Sequence, residues 1–209
     1  MDLSQRINRG LRRVPTWPIY LIGLAWAVWL FWLGLTGALG PEPINTLERK
    51  YGLVALQILV AVLAVTPLRN LTGVSLLKFR RALGLTAFFF VVAHFMVWVV
   101  LDLQFAFSRI GTEIVRRPYI TIGFSAFVLL IPLAVTSNNA SIKRMGAGLW
   151  RQMHKLTYPA VILGAVHYIW LVKGYPIEPF LYAAGVAGLL LLRVRWRRFR
   201  SLPAKPVAS

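Results

Sequence analysis

Six apolar runs, each close to the thickness of a lipid bilayer when coiled into a helix, constrain this chain more than any other feature. They cover approximately residues 18–39, 51–68, 82–101, 119–136, 154–172 and 178–194. A helix crossing the hydrocarbon core takes about 20 mostly apolar residues, with a range of about 17–25. In lipid, only helices and closed barrels satisfy every backbone polar group internally. The second, fourth and sixth runs stand near the short end of that range. Charge, proline and glycine mark the breaks, as in "GPEPINTLERK", "TPLRN", "VRRPY" and "VKGYPIEP". The pattern predicts an all-α integral membrane protein, a six-transmembrane helical bundle formed by a single domain over 1–209. A hydrophobic content of 58%, against roughly 45–50% in soluble domains, agrees.

A net charge of +18 would point to nucleic acid in a soluble protein, but here the charges alternate between loops. Eighteen of the 24 lysines and arginines fall on one side of the six runs. They are Arg6, Arg9, Arg12, Arg13; Arg69, Lys78, Arg80, Arg81; Lys143, Arg144, Arg151, Lys155; and Arg193, Arg195, Arg197, Arg198, Arg200, Lys205. Arg49, Lys50, Arg109, Arg116, Arg117 and Lys173 fall on the other side, with Glu42, Glu48, Asp102, Glu113 and Glu178. Positive charge stays cytoplasmic, so both termini are expected in the cytoplasm and no nucleic-acid partner is expected. The first run ends in "ALG" but exceeds the about 7–15 residues of a signal-peptide core, which favours a retained helix. Trp17, Tyr51, Tyr119, Trp150, Trp170 and Trp196 lie where an aromatic belt is expected.

The chain has three histidines, all in or beside apolar runs. His94 is the one ionisable residue of "ALGLTAFFFVVAHFMVWVV". An imidazole at such depth is costly unless it faces the bundle interior and finds a partner. A hydrogen bond to a neighbouring helix would serve for one histidine; three together favour a cofactor. His94 lies twelve residues beyond Ala82, and His167 thirteen beyond His154. At 1.5 Å per residue both stand roughly 18–20 Å from the cytoplasmic end of their helices, level with each other in the outer half. Facing helices build cofactor sites in this way, and haem takes axial imidazoles. Zinc fits less well, because no carboxylate or thiolate accompanies the pair.

His154 stands near the cytoplasmic boundary, about 140° round a straight helix from His167, with Pro159 and Gly164 between them to redirect it. The matching depth on the third run holds Arg80 and Arg81. With Arg151, these suit haem propionates, a flavin phosphate or acidic headgroups, as well as simple anchoring. Met96, Met145 and Met153 read as core filling, and Gln57 as an interhelical hydrogen bond.

Absences narrow the field further. Without cysteine there is no disulfide, iron–sulfur cluster or thiolate ligand. No glycine-rich dinucleotide fold, Ser–His–Asp set, metalloprotease helix or pair of intramembrane carboxylates is present. Electron transfer across the membrane remains, with no independent catalytic site.

The stretches "AVTPLRNLTG", "FRRALGLTAFFFVVAHF", "RRPYITIGFSAF", "IPLAVTS" and "HKLTYPAVILGAVHYIWLVKG" resemble the MsrQ family. These are haem-binding membrane subunits of bacterial periplasmic methionine-sulfoxide reductase systems, within the ferric-reductase-like transmembrane group. The resemblance runs from about residue 64 to 174. It implies haem b held through His94, His154 and His167, FMN as a further cofactor, and a place in the inner membrane. Electrons would come from the quinone pool or a cytoplasmic flavin reductase and pass to a periplasmic molybdopterin-containing methionine-sulfoxide reductase that repairs oxidised proteins. The broader group often carries two histidines on the third helix; this chain has one, with arginine at the inner position. The reading that results has His94 and His167 as axial ligands of an outer haem and His154 at a second, cytoplasmic-side cofactor. Arg80, Arg81 and Arg151 would contact propionate or phosphate, and "DLQFAFSRIGTEIVRRP" would be an outer loop for docking the partner. A haem-containing ferric or cupric reductase, or a non-redox transporter or scaffold, are the alternatives.

Overall fold

The structure is a computed structural model and describes residues 3–172, 174 and 176–200, with side chains through Arg193. Lys173 and Lys205, counted above on opposite sides, lie outside the described residues, as do the side chains of Arg195, Trp196, Arg197, Arg198 and Arg200. Among the described residues there are nine α-helices and no strand: α1 (Leu3–Arg13), α2 (Trp17–Leu35), α3 (Pro43–Thr72), α4 (Arg80–Met96), α5 (Phe107–Arg116), α6 (Pro118–Val135), α7 (Asn139–Met153), α8 (Thr157–Leu171) and α9 (Ile177–Arg200). Proline in the first turn starts α2, α3 and α6, where its missing N–H costs nothing.

Among the described residues, four helices are long and apolar enough to cross a membrane: α2, α3, α6, and the Leu77–Asp102 rod built on α4. The fifth expected span is shorter than the sequence pattern suggests. His154–Leu156 is a 3-10 turn, so α8 begins at Thr157 and has 15 residues. The sixth run is the apolar front of the 24-residue α9.

Helix α3 packs against α4, and α6 against α8. These four enclose the main core of Leu56, Leu59, Leu63, Ala87, Leu130, Leu133, Ala160, Val161 and Ala165, which Val186 of α9 completes. A second core joins α2 to α3 and α4 through Ala27, Leu30, Leu47, Ala55 and Phe90, and Tyr51 donates its hydroxyl to the Ala27 carbonyl at 2.8 Å. Helix α2 presents its bulk outward: Ile22, Trp26, Trp29 and Trp32 are each half exposed or more. In water such a surface would be an aggregation face; in lipid it is the normal exterior. Gln57 donates to the Tyr182 hydroxyl at 2.8 Å, tying α3 to α9 as its polarity suggested.

Two details position the sites. Pro67 lies inside α3 and cannot donate to the carbonyl of Leu63, four residues back. Arg193 of α9 supplies that bond at 2.8 Å and also donates to the Tyr158 hydroxyl at 2.8 Å. A residue counted in the sequence only as a topology charge thus repairs a proline defect. Beyond α4 the chain widens into a π turn, Val97–Asp102. It then reverses through two non-glycine residues with left-handed backbone, Gln104 (φ 49°) and Phe105 (φ 58°). The expected outer loop therefore contains this turn and the whole of α5. The end where α1 meets the α3–α4 connection carries Lys78, Arg80 and Arg81, and is the basic end; α5 lies at the far end.

Candidate functional site

His94 and His167 come from α4 and α8 and meet inside the bundle, ring centre to ring centre 6.2 Å and 71° between planes. Each is held by the helix beside its own. His94 donates Nδ1–H to the carbonyl of Glu48 on α3 at 2.8 Å. His167 donates Nδ1–H to the carbonyl of Tyr119 on α6 at 2.7 Å. With the proton fixed on Nδ1, the lone pair of each neutral ring is on Nε2, the state a metal-ligating histidine requires.

Four residues beyond each carbonyl stands a glycine. A Cβ on Gly52 would come within 3.2 Å of Nδ1 of His94, and one on Gly123 within 2.8 Å of Nδ1 of His167. The second distance is too short for any side chain, so the ring lies on bare backbone. Carbonyl and glycine together make a slot that sets each imidazole's orientation, on α3 for one ring and on α6 for the other. The centre-to-centre spacing tests what the pair can hold. An imidazole nitrogen lies about 1.2 Å from its ring centre, and a first-row metal binds it at about 2.0–2.1 Å. Two rings facing across one ion therefore have centres about 6.4 Å apart, against the 6.2 Å observed.

The pair opens into a cavity of about 350 Å³. Its inner wall is apolar, with Leu56, Leu59, Leu130 and Ala160, and Phe95, Phe124 and Phe127 line one side. At the far end it is polar, bounded by Arg49, Arg109 and Arg117 with Glu48, Asp102 and Glu113. An apolar slot with two imidazoles and a charged edge fits haem: a flat hydrophobic ring, an iron in need of axial ligands, and carboxylates along one side.

The basic end holds a separate cavity of about 880 Å³. It brings together His154, Arg80, Arg81 and Arg151, as the sequence grouped them, and adds Lys78, Lys155 and Tyr158. Leu59 and Leu130 line both cavities. Phe88 of the basic cavity stacks on Phe127 at 6.1 Å, and Phe127 on Phe95 at 5.1 Å, so a file of rings joins the two. His154 is set differently from the other histidines. Trp150 stacks on its ring at 3.8 Å, and its Nε2 lies 3.3 Å from the hydroxyl of Thr136. That hydroxyl already donates to the carbonyl of Pro132 at 2.6 Å, so His154 donates Nε2–H and keeps its lone pair on Nδ1. No second imidazole faces it, and the described residues contain no group of three or more histidines or acids that could hold a metal ion. Arg81 also donates to Asn139 at 2.9 Å.

Sequence reasoning missed Gly52, Gly123, both anchoring carbonyls and the far-end arginines. A signal was present: "ERKYG" and "YITIG" each place a glycine four residues after the residue whose carbonyl accepts from the ring, at the outer end of an otherwise bulky run.

The profile of the family described as ferric reductase like transmembrane component matches residues 48–165. That match and the helical bundle with its facing imidazoles define the class: the chain belongs to the ferric-reductase-like transmembrane proteins. The protein-methionine-sulfoxide reductase heme-binding subunit MsrQ of Brucella anthropi is 50% identical over 178 residues, which covers 85% of this chain and 80% of the relative. Its counterparts in Brucella ovis and Brucella canis are each 51% identical over 178 residues, with the same coverage. Within the class, the chain is a member of the MsrQ family.

Proposed function

We propose that this protein is the haem-binding membrane subunit of a methionine-sulfoxide reductase system, carrying electrons through the bacterial inner membrane. The observation that bears most weight is the pair of imidazoles 6.2 Å apart with both Nε2 lone pairs free. The charge distribution supports a cytoplasmic basic end and both termini on that side. Electrons would enter there from the quinone pool or a cytoplasmic flavin donor. They would leave at the far end to a periplasmic molybdopterin-containing catalytic subunit that repairs oxidised methionines in proteins.

Bound between His94 and His167, haem b supplies a one-electron ferric/ferrous couple. The chain's own residues do the rest. His94 and His167 ligate; the carbonyls of Glu48 and Tyr119 hold their rings in register and make them better donors. The apolar wall of Leu56, Leu59 and Leu130 excludes water. At the basic end, Arg80, Arg81 and Arg151 hold an anionic group, the phosphate of FMN or the propionates of a second haem. His154 supports that cofactor, ligating through Nδ1 where the occupant is haem.

The test is a visible spectrum of purified protein, air-oxidised and dithionite-reduced, with a pyridine haemochrome count. The reading expects a b-type spectrum with at least one haem per chain. A protein purified from haem-replete cells that shows none would be a scaffold or transporter instead. Electron delivery to chelated ferric iron but not to the periplasmic partner would favour a metal-ion reductase.

A further inference from the structure

Helix α5 is amphipathic, and its charged side borders the cavity that holds the histidine pair. Arg109 and Glu113, one turn apart, line the cavity holding His94 and His167. The apolar residues Phe107, Ile110, Ile114 and Val115 stand roughly 100–160° round from Arg109. Phe107 and Val115 are 75% and 80% exposed. Arg109 stands exposed at the cavity rim, placed to meet the charged edge of a bound ligand.

The anchoring helices repeat the arrangement. Arg49 of α3 directly follows Glu48, whose carbonyl holds His94. Arg117 precedes by two residues Tyr119, whose carbonyl holds His167. Each slot therefore carries an arginine beside it, and both arginines line the far rim of the cavity with Arg109. Arg117 is engaged, paired with Glu113 at 2.5 Å and donating to the Tyr119 hydroxyl at 3.0 Å. Arg49 and Arg109 make no ion pair or side-chain hydrogen bond among the described residues, although Glu48 and Asp102 line the same rim. Among the described residues the inner end of this cavity offers no cation and is lined by Leu56, Leu59, Leu130 and Ala160.

We propose that Arg49 and Arg109 form a carboxylate clamp that seats the porphyrin of the His94–His167 site with its two propionates toward the far end, under α5. This deepens, and rests on, the haem reading above. Guanidinium matches carboxylate in bidentate geometry, and charge-assisted bonds of this kind are about twice as strong as neutral ones. The chain reversal at Gln104 and Phe105 leads into α5, whose Arg109 lines the same rim as Arg49 of α3.

The test uses purified full-length protein, cofactor-stripped and reloaded with either protohaem or protohaem dimethyl ester, whose propionates are neutral. Haem transfer to excess apomyoglobin and the midpoint potential are followed in the wild type, Arg49→Gln, Arg109→Gln and the double variant. With protohaem, each substitution speeds haem loss about tenfold, as removal of one charge-assisted bond predicts, and lowers the potential, while the low-spin spectrum of the histidine pair persists. With the dimethyl ester, wild type and variants release haem at equal rates. Equal effects of the substitutions on both porphyrins, or no effect with protohaem, would overturn the clamp. Failure of the wild type to take up protohaem with a low-spin spectrum would instead sink the haem reading itself.

Discussion

The two cavities, joined by a short file of phenylalanines, are built on opposite principles. The far one is nearly symmetric: two helices each offer an imidazole, and two neighbours each offer a carbonyl and a glycine. The basic one is lopsided, with a single imidazole, stacked on Trp150 and protonated on the other nitrogen, facing a wall of arginines and lysines. Symmetry of neutral donors suits an ion that needs two axial ligands. A one-sided cationic wall suits a ligand recognised by its negative charge. On the proposed function the bundle carries a metal clamp and an anion cradle, and the difference predicts how each responds to substitution.

The largest effect falls on the clamp. His94→Ala and His167→Ala each remove essentially all of the low-spin signal in the reduced-minus-oxidised visible spectrum, whereas His154→Ala leaves that signal in place. Equal losses in all three would erase the distinction between the sites. Next come the slots. Gly123→Ala drives a methyl group into the ring of His167 and costs about 1–3 kcal/mol of site integrity. Gly52→Ala meets His94 at a looser distance and costs less. Haem occupancy on purification should follow the order wild type, Gly52→Ala, Gly123→Ala, and a reversed order would mean that the slots do not set the rings.

A third comparison separates scaffold from site. Arg193→Met leaves the Leu63 carbonyl beside Pro67 without its donor, at roughly 1–3 kcal/mol. A lower thermal midpoint in detergent is expected, with the histidine-pair spectrum unchanged. Unchanged stability would show that Arg193 is not repairing α3. The smallest effect concerns a single proton. Nitrogen NMR of histidine-labelled, cofactor-free protein should show Nδ1–H on His94 and His167 and Nε2–H on His154. Thr136→Val should release only the last. Three like tautomers would contradict the difference between the two cavities.

Much of this was legible in the sequence because bilayer thickness and helical rise are fixed lengths. Counting twelve and thirteen residues along two runs put His94 and His167 level, and the structure has them facing. The grouping of His154 with Arg80, Arg81 and Arg151 followed from the same count. Other features left no trace in residue type. A backbone carbonyl is present at every position, so nothing marked Glu48 and Tyr119 as anchors. The π turn after α4 has the composition of ordinary apolar helix, so the register shift into Asp102 was invisible, and α5 read as loop because its charges interrupt the apolar pattern. Arg49, Arg109 and Arg117 read as topology charges on the poorer side, because nothing in their spacing marks the cavity beneath them.

Electron paramagnetic resonance of the oxidised, purified protein addresses the central claim most directly. A porphyrin iron held by His94 and His167 gives a low-spin ferric signal that His154→Ala preserves and that either His94→Ala or His167→Ala converts to high spin. A high-spin signal in the wild type, or a low-spin one surviving loss of either ring, would contradict the paired-imidazole site.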